Sequence, residues 1–278
     1  MSRHRRSGAP SSGPRRSRTP QRPQLSADEI ALIRSLVIHD AGGIIALNKP
    51  SGLAVQGGSG VTLDVDRLLA GLAAPGKDPP RLVHRLDRET SGLLLAARTR
   101  SRAAELSAAF AGRSARKRYL AVVAGPPERL VPLVSQPLRR MTQNGLDLSV
   151  PAPPGSDGAQ EAETSFALLV RGTGGACLIE ARPHTGRMHQ IRAHLAGLGL
   201  PILGDTKYGG ALMTAAGPVP RLMLHALSLE LAIPSGPLHL TTPVPDDFAG
   251  LCARLCLQLP CDQAGEIAGA CSPARLAP

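Results

Sequence analysis

From Ser26 onward, short apolar runs alternate with turns marked by glycine, proline and asparagine, a rhythm that predicts many strands and few long helices. Ser26-Ala27-Asp28-Glu29 has the form of a capping box, and Ile30, Leu32, Ile33 and Leu36 follow at helical spacing, so a first helix begins there. A strand over residues 44–47 ends at the turn Asn48-Lys49-Pro50-Ser51-Gly52. Beyond the glycines at 57–60, Thr62 is expected to cap a second helix that turns Leu63, Leu68, Leu69 and Leu72 inward. The unbroken apolar run at 93–97 reads as a buried strand. Ser101 is expected to cap a third helix reaching Phe110, and residues 119–124 read as the next strand.

Several prolines and the polar stretch Pro153-Pro154-Gly155-Ser156-Asp157-Gly158 mark residues 125–160 as a surface excursion, expected to be mobile. Strands at 164–170 and 176–182 are joined by Gly172-Thr173-Gly174-Gly175 as a hairpin. A fourth helix is expected from 186 to 198, ending at Gly199, with Met188, Ile191, Leu195 and Leu198 on its apolar stripe. A last hairpin pairs 222–233 with 237–242 across Pro234-Ser235-Gly236. Strands and helices do not alternate regularly and neighbouring strands have hairpin-length links, so the expected class is α+β, with a mixed, largely antiparallel sheet and flanking helices. We read one catalytic domain over 26–260, between tails at 1–25 and 261–278 that are expected to be disordered.

Charge changes this picture mainly at one end. Residues 1–26 hold seven arginines (Arg3, Arg5, Arg6, Arg15, Arg16, Arg18 and Arg22) and no acid, so they carry most of the formal net charge of +11. Rich in Ser, Pro and Gly, this tail cannot bury enough surface to fold. It serves either as a solubilising tail or as a non-specific tether for a polyanion, and the sequence weighs these evenly. Its arginine pairs are followed by no apolar segment, which argues against an export signal, and no apolar run approaches the roughly 20 residues that cross a bilayer. The expectation is a soluble, cytoplasmic protein without a membrane partner. Five irregularly spaced cysteines fit reduced thiols rather than a disulfide scaffold. Cys252 and Cys256 lack the CxxC or paired histidines of a metal site, and no metal is expected.

Two other patterns are decoys. Gly71-Leu72-Ala73-Ala74-Pro75-Gly76-Lys77 begins like a phosphate-binding P-loop, but Asp78 replaces the required Ser or Thr and Pro79-Pro80 forbids the helix that should follow. His184, His189 and His194 are spaced by five, so they do not share a helix face.

The chemistry points to RLVHRLDRETSGLLLAA at 81–97. Asp87 lies between Arg85 and Arg88, whose charge favours its ionised form as a nucleophile or base. An aspartate between arginines is by itself more often a solvated ion pair than a catalyst. The longer string HRLDRETSGLLL at 84–95, however, resembles the active-site signature of the RluA-type pseudouridine synthases, which isomerise uridine in structured RNA. The resemblance extends over separated blocks: IIALNKPSGLAVQGG at 44–58, KRYLAVVAG at 117–125, EARPHTGRMHQIRAHLAGLGLPILGDTKYG at 180–209 and LMLHALSLEL at 222–231.

The resemblance implies an extended sheet with a central cleft, a catalytic Asp87, Tyr119 against the uracil and Arg187 paired with the aspartate. Arg187 is expected to open its helix and present its fork-shaped donor to Asp87. A carboxylate can act by attacking the sugar or by removing its C2′ proton, and both routes stay open. No cofactor is needed, since neither composition nor oxidation state changes. A stacked uridine must be flipped out, and Arg85, two residues before Asp87, is expected to fill the gap. His84, Lys49, His189, Gln190 and Arg192 are further candidate RNA or site-support contacts.

The expected partner is structured RNA, ribosomal first and transfer RNA second, bound by a monomer. Many relatives carry an amino-terminal S4 RNA-binding domain, whereas here only about 25 residues of disordered character precede the first helix. RNA selection is therefore expected from the cleft, its loops and the arginine tail. A non-catalytic RNA-binding or ribosome-assembly protein on the same fold is the alternative. A glycosidase using Asp87 and Glu89 is weaker, because both lie on one short segment instead of flanking a sugar.

Overall fold

A computed structural model of the protein describes residues 24–58, 62–112 and 114–260; both expected tails therefore fall largely or wholly outside the described residues. The capping box forms as its spacing predicts, with Ser26 Oγ accepting from the Glu29 N–H at 3.1 Å and Glu29 Oε2 accepting from the Ser26 N–H at 2.8 Å. Helix α1 (Ala27–Ser35) leads into β1 (Val37–Ala41), which turns at Gly42-Gly43 into β2 (Ile44–Lys49). The next two helices use other caps than those expected. Asp64, not Thr62, caps α2 (Val65–Leu68) by accepting from the Arg67 N–H at 2.8 Å. After β3 (Arg81–Leu82) and β4 (Ser91–Ala97), Thr99, not Ser101, caps α3 (Arg100–Ala111). In both cases an equally competent oxygen stands two residues away and the strand or loop geometry selects it.

Strand β5 (Arg116–Ala124) follows, and then the structure departs from the expected mobile excursion. Residues 125–160 contain β6 (Leu133–Ser135) and a hairpin of β7 (Leu138–Gln143) and β8 (Leu146–Pro151). The hairpin turns at Asn144-Gly145, where φ is +51° and +75°, the left-handed pair that a two-residue turn requires. The prolines of this segment concealed that signal.

The chain continues through β9 (Glu163–Arg171), β10 (Ala176–Pro183), α4 (Gln190–Gly197), a short ribbon of β11 (Met213–Thr214) and β12 (Gly217–Pro218), β13 (Leu224–Ile233), β14 (Gly236–Thr241) and α5 (Asp246–Arg254). Helix α4 starts at Gln190 rather than 186, because His189 takes a left-handed conformation (φ +52°) immediately before it.

Ten strands form the main sheet, in the order β1-β2-β4-β13-β5-β10-β9-β6, with β14 added to β13 and β3 to β4. Its pairings are antiparallel except one: β4 and β13 run parallel, over Ser91-Gly92 against His225-Ala226. This α+β sheet is thus two antiparallel halves joined at one short parallel seam. Gly92 makes the seam possible, since its φ is +115° and a Cβ there would lie 2.2 Å from the Ala226 carbonyl oxygen. Beside it a buried chain of polar groups closes the join: Ser91 Oγ lies 3.0 Å from His225 Nδ1, and His225 Nε2 lies 3.0 Å from Thr242 Oγ1.

Strand β4 shows how the sequence builds the core. It is buried throughout; Leu94 and Ala96 pack with α1 and α2, while Leu93, Leu95 and Ala97 pack with α3 on the other face. A separate core joins β5, β10 and β13 to α4 and α5. The cleft opens above the seam between these halves.

Candidate active site

The segment after β3 leaves the sheet, makes a tight turn and re-enters as β4, so Asp87 stands at the mouth of a strand. The turn is closed by the Thr90 N–H donating to the Asp87 carbonyl at 3.2 Å. A second turn, the Asn48–Gly52 segment, holds it from behind. Lys49 is wholly buried and donates to the carbonyls of Pro50 (2.9 Å), Leu53 (2.9 Å) and Arg88 (3.1 Å). Burial pushes its pKa down to about 7, with Asp87 and Glu89 pulling the other way. Ser51 Oγ donates to the Glu89 carbonyl at 2.6 Å, and the Gly52 N–H donates to that of Arg88 at 2.9 Å. The backbone carrying Asp87 is therefore fixed by the Lys49 and Ser51 side chains, 39 and 38 positions earlier, and Arg88 Nε donates back to the Gly52 carbonyl at 3.0 Å.

Across the seam, α4 is buried nearly all round at Gln190–Leu195, so a charge inside it must be paired. Arg192 meets this demand with a bidentate pair, Nε and Nη2 each 2.8 Å from the two carboxylate oxygens of the fully buried Asp205. Its remaining nitrogen, Nη1, faces the Asp87 turn, 3.9 Å from Asp87 Oδ2 and 3.5 Å from Glu89 Oε2. Burial opposes the guanidinium charge, but the Asp205 hydrogen bonds together with Asp205, Asp87 and Glu89 as anions hold its pKa above the usual value. Arg192 is a permanent cation set against Asp87.

Tyr119 reaches the same place from β5, where it lies opposite Ala226 on one side and Ala181 on the other. Burial, then the charge of Asp87, pushes its phenol well above the ordinary range, so it stays protonated at neutral pH. Asp87, Tyr119, Arg85, Lys117, Arg140, Arg187 and His189 are among the side chains lining one cavity of about 550 Å³, a size suited to a small-molecule group such as a nucleoside. Hairpin β7–β8 closes one side, because Ser149 Oγ donates to the Met188 carbonyl at 2.5 Å and the Ser149 N–H donates to Tyr208 Oη at 2.8 Å. Among the described residues no three His, Cys, Asp or Glu side chains are grouped to hold a metal ion.

Residues 43–197, more than half of the chain, match the family model described as RNA pseudouridylate synthase. The chain belongs to the RNA pseudouridylate synthase family. It is 39% identical over 226 residues to the mitochondrial RNA pseudouridine synthase 4 of Arabidopsis thaliana, covering 72% of this chain and 47% of that one. It is 41% identical over 202 residues to the ribosomal large subunit pseudouridine synthase C of Rickettsia prowazekii, covering 72% of this chain and 64% of that one. The chain thus spans about half to two thirds of the length of these curated relatives. Among solved structures, human RNA pseudouridylate synthase domain containing 4 superposes with a TM-score of 0.70 at 28% identity, over 84% of this chain and 98% of that chain.

The expected site residues differ in where the structure places them. Asp87 and Tyr119 line the cavity together. Arg187 lines it too, but it is not the partner of Asp87: it lies in the loop before α4, and its Nε donates to the Glu161 carbonyl at 2.9 Å. Arg192 takes the role expected of it. The left-handed His189 delays the helix by a turn and so decides which arginine faces the aspartate.

The remaining expected RNA contacts divide by burial. Arg85 is exposed at the cavity rim. Lys49 and Arg192 are buried and internally paired, and Gln190 has its amide saturated, accepting from Thr185 Oγ1 (2.7 Å) and the Arg187 N–H (3.0 Å) and donating to the Glu163 carbonyl (2.8 Å) and Thr164 Oγ1 (2.9 Å). The polar atoms of all three are engaged by internal partners. His189 is buried against Tyr208, with Nδ1 3.1 Å from Oη. His84 accepts the Leu95 N–H at 2.9 Å and packs on Phe110; burial, then the charge of Lys117, pushes its pKa down to about 3, so it is a neutral brace rather than a cationic RNA contact. Asp205 and Lys117 were not foreseen. A signal for Asp205 existed in the buried arginine of α4, which demanded an acid somewhere beyond the helix.

Proposed function

We propose that this protein isomerises uridine to pseudouridine in structured RNA, with Asp87 as the catalytic carboxylate. The observation that supports the reading most is the convergence of Asp87 and Tyr119 on one cavity, with the cationic edge of a buried Arg192 beside the carboxylate. The reaction breaks the bond between ribose C1′ and uracil N1, turns the base and joins C1′ to C5. N1 ends with a proton and C5 loses one, so atoms and electrons balance within the substrate.

Asp87 begins the sequence either by attacking C1′ or by taking the C2′ proton. Arg192 sets a cationic edge beside it and restricts its orientation, and Asp205 keeps Arg192 from collapsing onto the aspartate. Tyr119 offers a flat face for the uracil. Because its phenol is held protonated, it enters the reaction as a hydrogen-bond donor and is a poor base for the C5 proton. Arg85 is placed to occupy the gap left by the flipped nucleotide.

Large-subunit ribosomal RNA is the first substrate class, because a relative carries that function in its name, and transfer RNA is the second. The buried thiols of Cys177 and Cys252 suit a reducing compartment such as the cytoplasm. Asp87→Asn should abolish pseudouridine formation while leaving unfolding temperature and RNA binding close to wild type; retained turnover would refute the role. Mapping pseudouridines in cellular RNA with and without the gene identifies the target uridine.

A further inference from the structure

Strand β5 opens with three consecutive cations, Arg116, Lys117 and Arg118, that have different fates. Arg118 donates to Glu180 at 2.9 and 2.6 Å, and Arg116 lies 4.0 Å from Glu230. Lys117 makes no hydrogen bond or ion pair among the described residues. Its ammonium lies 5.9 Å from the centroid of the Phe110 ring and beside Gly186. Burial lowers its pKa, and no neighbouring carboxylate restores it. A half-buried lysine without a counter-charge is costly, since buried charges are ordinarily paired.

Its position gives that cost a use. Lys117 is two residues from Tyr119 on one strand, so both side chains leave the same face about 6.6 Å apart. Among the described residues Asp87 is the only acid on the wall of the catalytic cavity, whereas Arg85, Arg140 and Arg187 share that wall with Lys117. A second cavity of about 820 Å³ adjoins the first, and Lys117 lines both, together with Ala115, Pro183, His184 and Thr185. A polynucleotide leaving the catalytic cavity on this side passes Lys117 at the divide. The second cavity is lined by Glu161, Glu163 and Glu230 and by Arg116, Arg118 and Arg182, but these arginines already face Glu230 or Glu180, so the cation left for an anion is Lys117 at the divide.

We propose that Lys117 binds a phosphodiester immediately next to the target uridine, and that the second cavity receives the adjoining nucleotide. This rests on the RNA reading above. Uracil and ribose are neutral; the anions that a nucleotide brings are its phosphates, and a desolvated ammonium contributes most when it meets one.

The test uses the full chain carrying Asp87→Asn, which holds RNA without turnover, and a hairpin excised around the uridine identified by the map. Three hairpins are compared: all-phosphate, and two with a single neutral methylphosphonate, 5′ or 3′ of that uridine. Lys117→Met keeps the apolar stem on Phe110 and should weaken binding of the all-phosphate hairpin about tenfold or more. It should lower the slope of log affinity against log salt by about 0.7. With one of the two neutral linkages the loss should vanish, and Lys117→Arg should retain most of the affinity.

Equal losses on all three hairpins overturn the proposal, as does unchanged binding with a fall in kcat when Asp87 is restored. The neutral-linkage hairpins also test it with Lys117 intact: neither weakening binding would overturn it. Turnover of the all-phosphate hairpin by the unmutated enzyme reports separately on the substrate reading.

Discussion

At the scale of single residues, the arginines around Asp87 differ more than their shared charge suggests. Arg192 is 2% exposed and bidentate on Asp205, and only its outer nitrogen addresses the catalytic turn. Lysine cannot reproduce that fork, so Arg192→Lys should lower kcat at least about tenfold with a measurable loss of stability. Arg187→Lys, whose parent side chain bonds one exposed carbonyl, should change stability by less than about 0.5 kcal/mol. Steady-state kinetics with thermal unfolding of both variants check this; the reverse ranking would return the pairing to Arg187. Arg85, exposed and without a partner among the described residues, should behave differently again. Arg85→Ala should reduce turnover on a folded hairpin far more than on a short unstructured RNA, and equal losses would remove its part in base flipping. Asp87 and Tyr119 were legible because each sits in a contiguous block. Arg192 was legible as a candidate contact but not as the partner of Asp87, since the orientation of the loop before α4 depends on the conformation of His189, which no apolar spacing reveals.

At the scale of elements, legibility followed how locally each one is determined. The capping box of α1, the buried run of β4 and the β9–β10 and β13–β14 hairpins formed where spacing and turn residues placed them. The β7–β8 hairpin was hidden because prolines around it outweighed Asn144-Gly145, and its order comes from tertiary bonds through Ser149 and Tyr208. The parallel seam could not be read at all, since it joins residues 134 positions apart. It carries a pH dependence. Burial, followed by the charge of Arg221, pushes the pKa of His225 down to about 3 from 6.5. Between these values the unfolded chain binds a proton that the folded one does not, so this contribution to stability is complete above pH 6.5 and is lost as pH falls toward 3. At pH 5 the loss is about 2 kcal/mol. Urea midpoints should therefore fall between pH 7 and 5 more steeply for wild type than for His225→Gln, and parallel curves would show that another group governs the seam.

For the whole molecule, the cleft divides the chemistry between two cores. Asp87 rides on the half built from β2, β4 and the first two helices, whereas Tyr119 and Arg192 belong to the half built on β5, β10 and α4. Their approach depends on the seam, which is why a site composed of distant blocks needs Gly92, His225 and Thr242 as much as its reacting groups. Net charge is distributed on a different plan. The seven arginines that precede the capping box lie outside the described residues, while near the cavity Arg118 is paired with Glu180 and Arg187 is bound to a carbonyl. A tethering role for the amino-terminal segment would place long-range attraction of a polyanion there and leave short-range positioning to the cleft. Deleting residues 2–22 should weaken RNA binding at low salt and flatten its salt dependence, each lost phosphate contact removing about 0.7–0.9 from the slope. The value of kcat at saturating RNA should not change, because the Asp87 turn and Arg192 are held by partners outside the segment. Affinity titrations at several salt concentrations, with single-turnover rates at saturation, separate the two. Unchanged affinity and slope would make the segment a solubilising tail, and a fall in the saturated rate would place it in the catalytic cleft.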